Sequence, residues 1–289
     1  MPGATLPMPE LPEVETIAKG VDRRLRGDAI VSAWFSSHRE PFKTPPDQMA
    51  AALPGRRIAR VRRVGKHIVV DLEAGRKAAG SRPETPAAGQ DSTQLLIHLG
   101  MTGQLLVSAA DIPLLPHTHA VLGLASGREL RFVDPRRFGR LALLDEPFTG
   151  PGREPLTISK NDFAGLFRGR RLAIKAALLN QSLLHGVGNI YADESLFRAG
   201  IRPVRKAGLL TRERLDRLHD GLRAVLKAAI RAGGSSVSDY VDADGERGFF
   251  QIQHCVYMRT GLPCPVCGTP IRRIVLAGRG THFCPRCQT

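Results

Sequence analysis

Two cysteine pairs near the C-terminus, Cys264-Pro-Val-Cys267 and Cys284-Pro-Arg-Cys287, constrain this chain more than any other feature. Sixteen residues separate them. Two C-x2-C knuckles at that distance have the spacing of a tetrahedral four-cysteine site for one structural zinc ion. Leu-Pro-Cys-Pro-Val-Cys-Gly reads as a tight turn that aims two thiolates at one metal. The stretches Ile271 to Val275 and Gly278 to Phe283 read as a short hairpin, which carries Arg272, Arg273, Arg279 and His282. Two structural disulfides are the alternative, but nothing else in the chain suggests an oxidising compartment. A basic zinc hairpin points toward nucleic acid, although zinc fingers also serve protein partners. The fifth cysteine, Cys255, reads as a small buried hydrophobe.

A chain of 289 residues is long enough for two domains, each with its own core. Its net charge of +15 favours a polyanionic partner through phosphate contacts and counterion release. The arginines are spread along the whole chain, so a solvated basic surface explains the charge equally well. The N-terminus has no apolar run of signal-peptide type, and no stretch is long enough to span a membrane. With four of five cysteines in the zinc pattern, the expected compartment is a reducing cytoplasm.

Leu11 to Arg26 reads as a helix, with Val14, Ile17, Val21 and Leu25 as its apolar stripe and Gly27 to end it. From Ala29 to about Asp145 the period changes to that of strands. The candidates are 29–35, 57–63, 67–72, 94–99, 104–107, 120–124, 129–133 and 140–144, with Ser126-Gly127 as a hairpin turn. Short strands at this density predict an antiparallel sandwich. Residues 74–93, rich in Gly, Ala, Pro and Ser, read as an insertion between strands. Three prolines and two glycines in 146–155 mark a linker. Helices follow at 172–181, 189–199 and 211–232. The first two flank a glycine-bearing turn, as in a helix-turn-helix variant, and Thr211 can cap the third.

Further segments now gain meaning together. They are Met8-Pro9-Glu10-Leu11-Pro12-Glu13, Gly65-Lys66, His98-Leu-Gly-Met101-Thr-Gly, Asp134-Pro-Arg136-Arg137-Phe138-Gly, Gly186-Val-Gly-Asn189-Ile-Tyr and Val256-Tyr257 leading into the zinc hairpin. In this order the chain resembles the formamidopyrimidine-DNA glycosylase family from Met8 to Gln288. Its opening resembles the formamidopyrimidine branch more than the endonuclease VIII branch. The resemblance implies an α+β fold. A catalytic antiparallel β-sandwich flanked by helices would span 9–145, a linker 146–156, a helix-two-turn-helix domain with a lesion lid 157–250, and a zinc finger 251–289.

The resemblance also implies chemistry. The substrate would be double-stranded DNA containing oxidised bases, and a monomer is expected. Pro9 would be the nucleophile and Glu10 the general acid, with Glu13 one turn later to orient Pro9. An α-amine has a reference pKa of roughly 7.7–8.0, so part of it is neutral at pH 7. Lys66 and Arg279 would give protons in the two elimination steps. His98, His117, Arg170 and Asn189 would contact DNA, Asn189 from a helix N-terminus that favours an anion. Met101, Arg136 and Phe138 would fill the hole left by the extruded base, Arg136 pairing with the orphaned cytosine. Gly233 to Asp239, running to Gln251, resembles the lid.

The chain departs from the family pattern in several places. Seven residues precede Met8, and with them attached Pro9 is an amide without an amine. A misassigned start codon, or removal of residues 1–8, is therefore expected. Arg170 stands where a lysine is common, Asn180 where an aspartate is frequent and Met258 where a glycine is frequent. Two rival readings follow. One is an endonuclease VIII-like enzyme for oxidised pyrimidines. The other is a non-catalytic binder of damaged DNA, if the Met1 start is used unprocessed.

Overall fold

The alternating segments form two four-stranded antiparallel sheets, with strand orders β1-β6-β7-β5 and β2-β3-β4-β8. The strands are β1 (Ile30–Phe35), β2 (Arg56–Val64), β3 (His67–Ala74), β4 (Thr93–His98), β5 (Gln104–Ala109), β6 (Thr118–Leu124), β7 (Arg128–Val133) and β8 (Arg140–Leu144). The computed structural model describes residues 8–75, 93–235, 243–246 and 248–289. Ile58, Ile68, Val70, Leu72, Leu95 and Ile97 of one sheet share a core with Leu105, Ala120, Leu122, Leu130 and Phe132 of the other. That is the expected sandwich, because alternation gives each sheet one apolar face to bury. Helix α1 (Leu11–Leu25) adds its predicted stripe, Val14, Ile17, Val21 and Leu25, to the same core. Gly27 ends it at φ +86°, a backbone conformation that costs glycine nothing.

Two ends of the expected insertion are strand instead: Ala74 closes β3 and Thr93 opens β4. Residues 76–92 lie outside the described residues, as do 236–242 and 247 of the expected lid. A short helix, α2 (Pro46–Ala52), was missed. One buried residue, Met49, anchors it, too little for a visible period.

By contacts the chain divides into two compact units. The first holds Glu13–Thr149 and the described part of 236–248. The second holds Gly150–Ser235 and Phe249–Thr289 together with Glu10–Pro12.

In the second unit, the helices are α3 (Lys160–Gly165), α4 (Ile174–Leu179), α5 (Asn189–Ala199) and α6 (Arg212–Arg231). The sequence did not reveal α3, a six-residue helix capped by Ser159. Thr211 caps α6 as expected, accepting from Arg214 N, and Leu215, Leu218, Leu222, Val225 and Leu226 are buried. Gly221 of α6 faces α5, where a Cβ would make an ordinary contact 3.4 Å from Ser195 O. The α4–α5 turn is braced by Gln181, which accepts from Gly186 N at 2.9 Å and donates to Leu179 O and Val187 O. The cysteine-bearing hairpin is β9 (Arg272–Leu276) with β10 (Arg279–Phe283). Ala277 and Gly278, both at positive φ, make the two-residue turn whose twist matches the strands.

Candidate active site and zinc module

The four cysteines converge. Their Sγ atoms all lie within 4.8 Å of one another, with Cys264–Cys287 at 3.9 Å and Cys267–Cys284 at 3.5 Å. A zinc–sulfur distance of about 2.3 Å in a tetrahedron requires about 3.8 Å between sulfurs. The set therefore fits one structural zinc ion, and the disulfide alternative falls. Cys255 is not part of the cluster. It is only half-buried, not the enclosed hydrophobe expected, and burial raises its thiol pKa. Gln288 docks the module internally, accepting from Cys284 N at 2.8 Å and donating to Ile201 O at 2.9 Å.

Around α5 the second unit assembles a dense polar group. Glu10 is buried, and its Oε1 accepts from Ile190 N at 3.2 Å, in the first turn of α5. The dipole there favours a carboxylate. The expected anion site at this N-terminus thus already holds the Glu10 side chain. Gly188 makes room for it, because a Cβ at 188 would lie 2.1 Å from Glu10 Cδ. Asn189 donates through Nδ2 to Gly280 O at 3.0 Å, which ties α5 to the strand that begins with Arg279. Tyr257 stands in the same group. Burial first, then the Glu10 carboxylate, pushes its hydroxyl up to about 12.

The sequence reading missed the centre of this group. Lys175 on α4 is fully buried and pairs with fully buried Asp193 of α5 at 2.7 Å. Its Nζ also donates to Gly280 O at 3.0 Å and Thr281 Oγ1 at 2.8 Å. Burial lowers the Lys175 pKa, against the opposing charges of Asp193 and Glu10. Asp193 Oδ2 in turn accepts from His282 N at 2.8 Å. The next residue, Glu194, accepts from the backbone N–H groups of Cys255, Val256 and Tyr257 at 2.8–2.9 Å. Two adjacent acids on a helix look like solvated charges in sequence; here both are structural. Removing one partner of a buried pair strands the other charge, at about 3–5 kcal/mol. Lys175→Met is therefore expected to lower the urea midpoint of this unit markedly, and the added change Asp193→Asn to recover part of the loss. An unchanged midpoint in the single variant would contradict the pairing.

In the first unit, Lys66 lies in the β2–β3 turn and His98 at the end of β4, where His67 and His98 are paired across the strands. His98 Nδ1 accepts from Gly100 N at 3.1 Å, which leaves the proton on Nε2. Burial first, then His67, Lys66 and Arg140, push its pKa down to about 4. His98 is therefore neutral at pH 7 and can donate one hydrogen bond. Between its ordinary 6.5 and about 4, the unfolded chain binds a proton that the folded chain refuses. Stability contributed by neutral His98 is thus full above pH 6.5 and is lost as pH falls through that window. Melting curves at pH 7 and 4.5 should show a smaller drop for His98→Gln than for the parent; equal drops would refute the assignment.

Met101, Arg136 and Phe138 are brought together. Arg136 and Phe138 are exposed on the turn before β8, with the guanidinium 4.8 Å from the Phe138 ring centre. Met101 sits on the turn after β4. Gly100, at φ +64°, packs against that same turn so closely that a Cβ would stand 2.5 Å from Phe138 C. His117, also at positive φ, accepts from Asp134 N at 3.0 Å. Arg170 is exposed in the loop after α3 and donates to Leu166 O. Pro9 is buried just ahead of α1.

Family models match the chain in three successive segments. They are the formamidopyrimidine-DNA glycosylase N-terminal domain over residues 8–141, the H2TH domain of the same enzymes over 151–241, and the zinc finger found in FPG and IleRS over 261–289. This chain belongs to the formamidopyrimidine-DNA glycosylase family. It is 46% identical to the formamidopyrimidine-DNA glycosylase of Solibacter usitatus, with 97% of this chain and 99% of that one aligned. Among solved structures it resembles a mutant Fpg of Lactococcus lactis in complex with DNA containing Fapy-dG (TM-score 0.84, 32% identity, 97% and 100% covered). It also resembles the MutM (FPG) protein of Thermus thermophilus (TM-score 0.81, 41% identity, 97% and 98% covered). Membership makes this a DNA glycosylase of base excision repair with one structural zinc. No described helix is long and apolar enough to cross a membrane.

Proposed function

We propose that this chain acts as a monomer on double-stranded DNA, excises 8-oxoguanine opposite cytosine and formamidopyrimidines, and then cuts the strand by β,δ-elimination. The observation that carries the reading is Glu10, buried at the N-terminus of α5 immediately after a proline. A carboxylate so fixed next to a proline amine is suited to proton transfer at the carbon the amine attacks.

Pro9, once N-terminal, attacks C1′ of the damaged nucleoside through its neutral amine. The N-glycosidic bond breaks and the base leaves with its electron pair. The attacking nitrogen gives its proton to the Glu10 carboxylate, Glu10 delivers it as general acid to the sugar ring oxygen, the ring opens and an iminium forms. The iminium acidifies the C2′ proton; its loss expels the 3′-phosphate, and a second elimination expels the 5′-phosphate. Lys66 and Arg279 give the protons for these departures, leaving a gap with phosphates at both ends. His98 donates to a backbone phosphate as a neutral imidazole, while Asn189, His117 and Arg170 complete the grip on the strand. Met101, Arg136 and Phe138 occupy the vacated stack. Cys264, Cys267, Cys284 and Cys287 hold the zinc, whose role is to fold the hairpin that presents Arg279. In this reading the catalytic sandwich spans 9–145, the linker 146–156, the helix-two-turn-helix domain 157–250 and the zinc finger 251–289.

The scheme requires a free amine on Pro9, and the N-terminal family model begins to match at Met8. Borohydride trapping on an 8-oxoguanine:cytosine duplex tests it, with intact mass fixing each terminus. Protein started at Met8 should form a covalent adduct and protein keeping residues 1–8 should not. Binding without trapping in both forms would favour the non-catalytic binder. Preference for a thymine glycol duplex would favour the endonuclease VIII-like reading.

A further inference from the structure

Beneath the turn that carries Arg136 and Phe138 lies a buried polar knot that the reaction scheme does not use. Its centre is Asp134, which is fully buried. Its Oδ1 accepts from Thr102 Oγ1 at 2.6 Å and from Arg136 N at 3.3 Å. Its Oδ2 accepts from Gly139 N at 2.7 Å. One carboxylate thus receives donors from both ends of the turn and from the segment that holds Met101. Hydrogen bonds to an ionised acceptor are about twice as strong as neutral ones, so this clasp is firm.

The backbone of Asp134 is held as well. Its N–H donates to His117 O, and its carbonyl lies 3.1 Å from His119 Nε2. His119 is buried, with Ser36 Oγ 3.1 Å from its Nδ1. With Nε2 donating to the carbonyl, Nδ1 accepts the Ser36 hydroxyl proton, so β6 and the residue after β1 together fix the imidazole. On the far side of the turn, Arg137 is drawn away by His38 Nδ1 at 3.0 Å and Glu40 at 3.5 Å. This leaves Arg136 alone beside Phe138. The close packing of Gly100 on the Phe138–Gly139 peptide joins the Met101 loop to the same body.

We propose that Thr102 and His119 are positioning residues for duplex insertion, locking Met101, Arg136 and Phe138 through Asp134 into one preassembled wedge. The inference rests on the reading of those three residues as the void-filling group. A wedge ordered before contact spares the ordering cost of each side chain when the base leaves the stack. It should matter most where a base must be extruded and the opposite base read, and least where the lesion is already an abasic sugar.

The test uses the full chain started at Met8 and single-turnover assays on 8-oxoguanine:cytosine, 8-oxoguanine:adenine and abasic duplexes. Thr102→Val keeps the shape and removes the donor; Thr102→Ser keeps the hydroxyl. Losing one hydrogen bond to a buried carboxylate should slow 8-oxoguanine:cytosine excision by about tenfold or more in Thr102→Val. The same variant should narrow the preference for cytosine over adenine and leave abasic cleavage within about twofold of the parent. Thr102→Ser should restore both. His119→Gln, which keeps a donor for the Asp134 carbonyl, should stay near the parent and His119→Phe should follow Thr102→Val. Equal losses on all three duplexes, or no loss in Thr102→Val and His119→Phe, would overturn the proposal. Phe138→Ala separates the two levels. If it leaves 8-oxoguanine excision intact, the insertion reading itself fails. If it slows excision while Thr102→Val does not, only the positioning role fails.

Discussion

Changing Glu10 to Gln, in protein whose chain begins at Pro9, is expected to cut base excision by roughly 10³-fold, the range for removing a positioned proton donor. The substitution is chosen because it preserves the surroundings. Gln has the same length, its carbonyl oxygen still accepts from Ile190 N, and Gly188 leaves room for either side chain. What disappears is the ability to take up a proton and give it back beside the N-terminus of α5. Pro9→Gly should also lose most excision, for a different reason. Glycine offers a primary amine whose adduct can shed a proton and become a neutral imine, whereas the pyrrolidine nitrogen has no proton left to lose. The charge that acidifies C2′ is therefore permanent only with proline. Single-turnover rates on an 8-oxoguanine:cytosine duplex decide the matter, with melting temperature as a control. Normal rates in either variant would remove that residue from the proposed scheme.

Legibility in the sequence followed the physics of each feature. Metal ligation demands fixed residue types at fixed spacing, so the cysteine hairpin could be read within a residue or two of β9 and β10. The sandwich was readable because a sheet with one buried face must alternate. The stripe of α6 was readable because twenty residues give five turns of one period. Helices α2 and α3 were not, since each is under two turns long and anchored by one buried side chain, Met49 or Phe163. The larger gap concerns polar interiors. Lys175, Asp193 and Glu194 carry no sign in sequence that they lie inside the protein, because a lysine and two acids on helices usually face water. Thr102 stood out in sequence only as the neighbour of Met101, and His119 not at all. Their roles come from a fold that brings the segment after β4, the start of β6 and the turn before β8 together at Asp134, a nonlocal fact that no local period encodes. The same holds for Glu10. It stands just ahead of α1 in sequence, while its partner is the first turn of a helix 180 residues later.

Cys267→Ser is expected to lose zinc and, with it, DNA affinity by on the order of 10- to 100-fold, as when two or three phosphate contacts go. Without the metal the hairpin keeps its polar bonds to α4 and α5 and a small apolar cluster of Val256, Cys264, Ile271 and Cys284. Two five-residue strands are marginal by themselves in water. Metal binding at such sites contributes about 10–16 kcal/mol of folding free energy, far more than that small cluster supplies. When the hairpin unravels, the damage passes inward along bonds already described. Gly280 O ceases to receive Asn189 and Lys175, Thr281 and His282 leave the Lys175–Asp193 pair, and Arg279 loses its fixed place. Catalysis should therefore fall even at DNA concentrations that overcome the weaker binding. Cys255→Ser is the matched control, since Cys255 lies outside the cluster, and it should keep both zinc and affinity. Zinc content and duplex binding measured on the two variants separate the outcomes. Unchanged affinity in zinc-free Cys267→Ser would show that Arg279 and its hairpin are dispensable for binding. The proton role assigned to Arg279 would then stand or fall on the elimination steps alone.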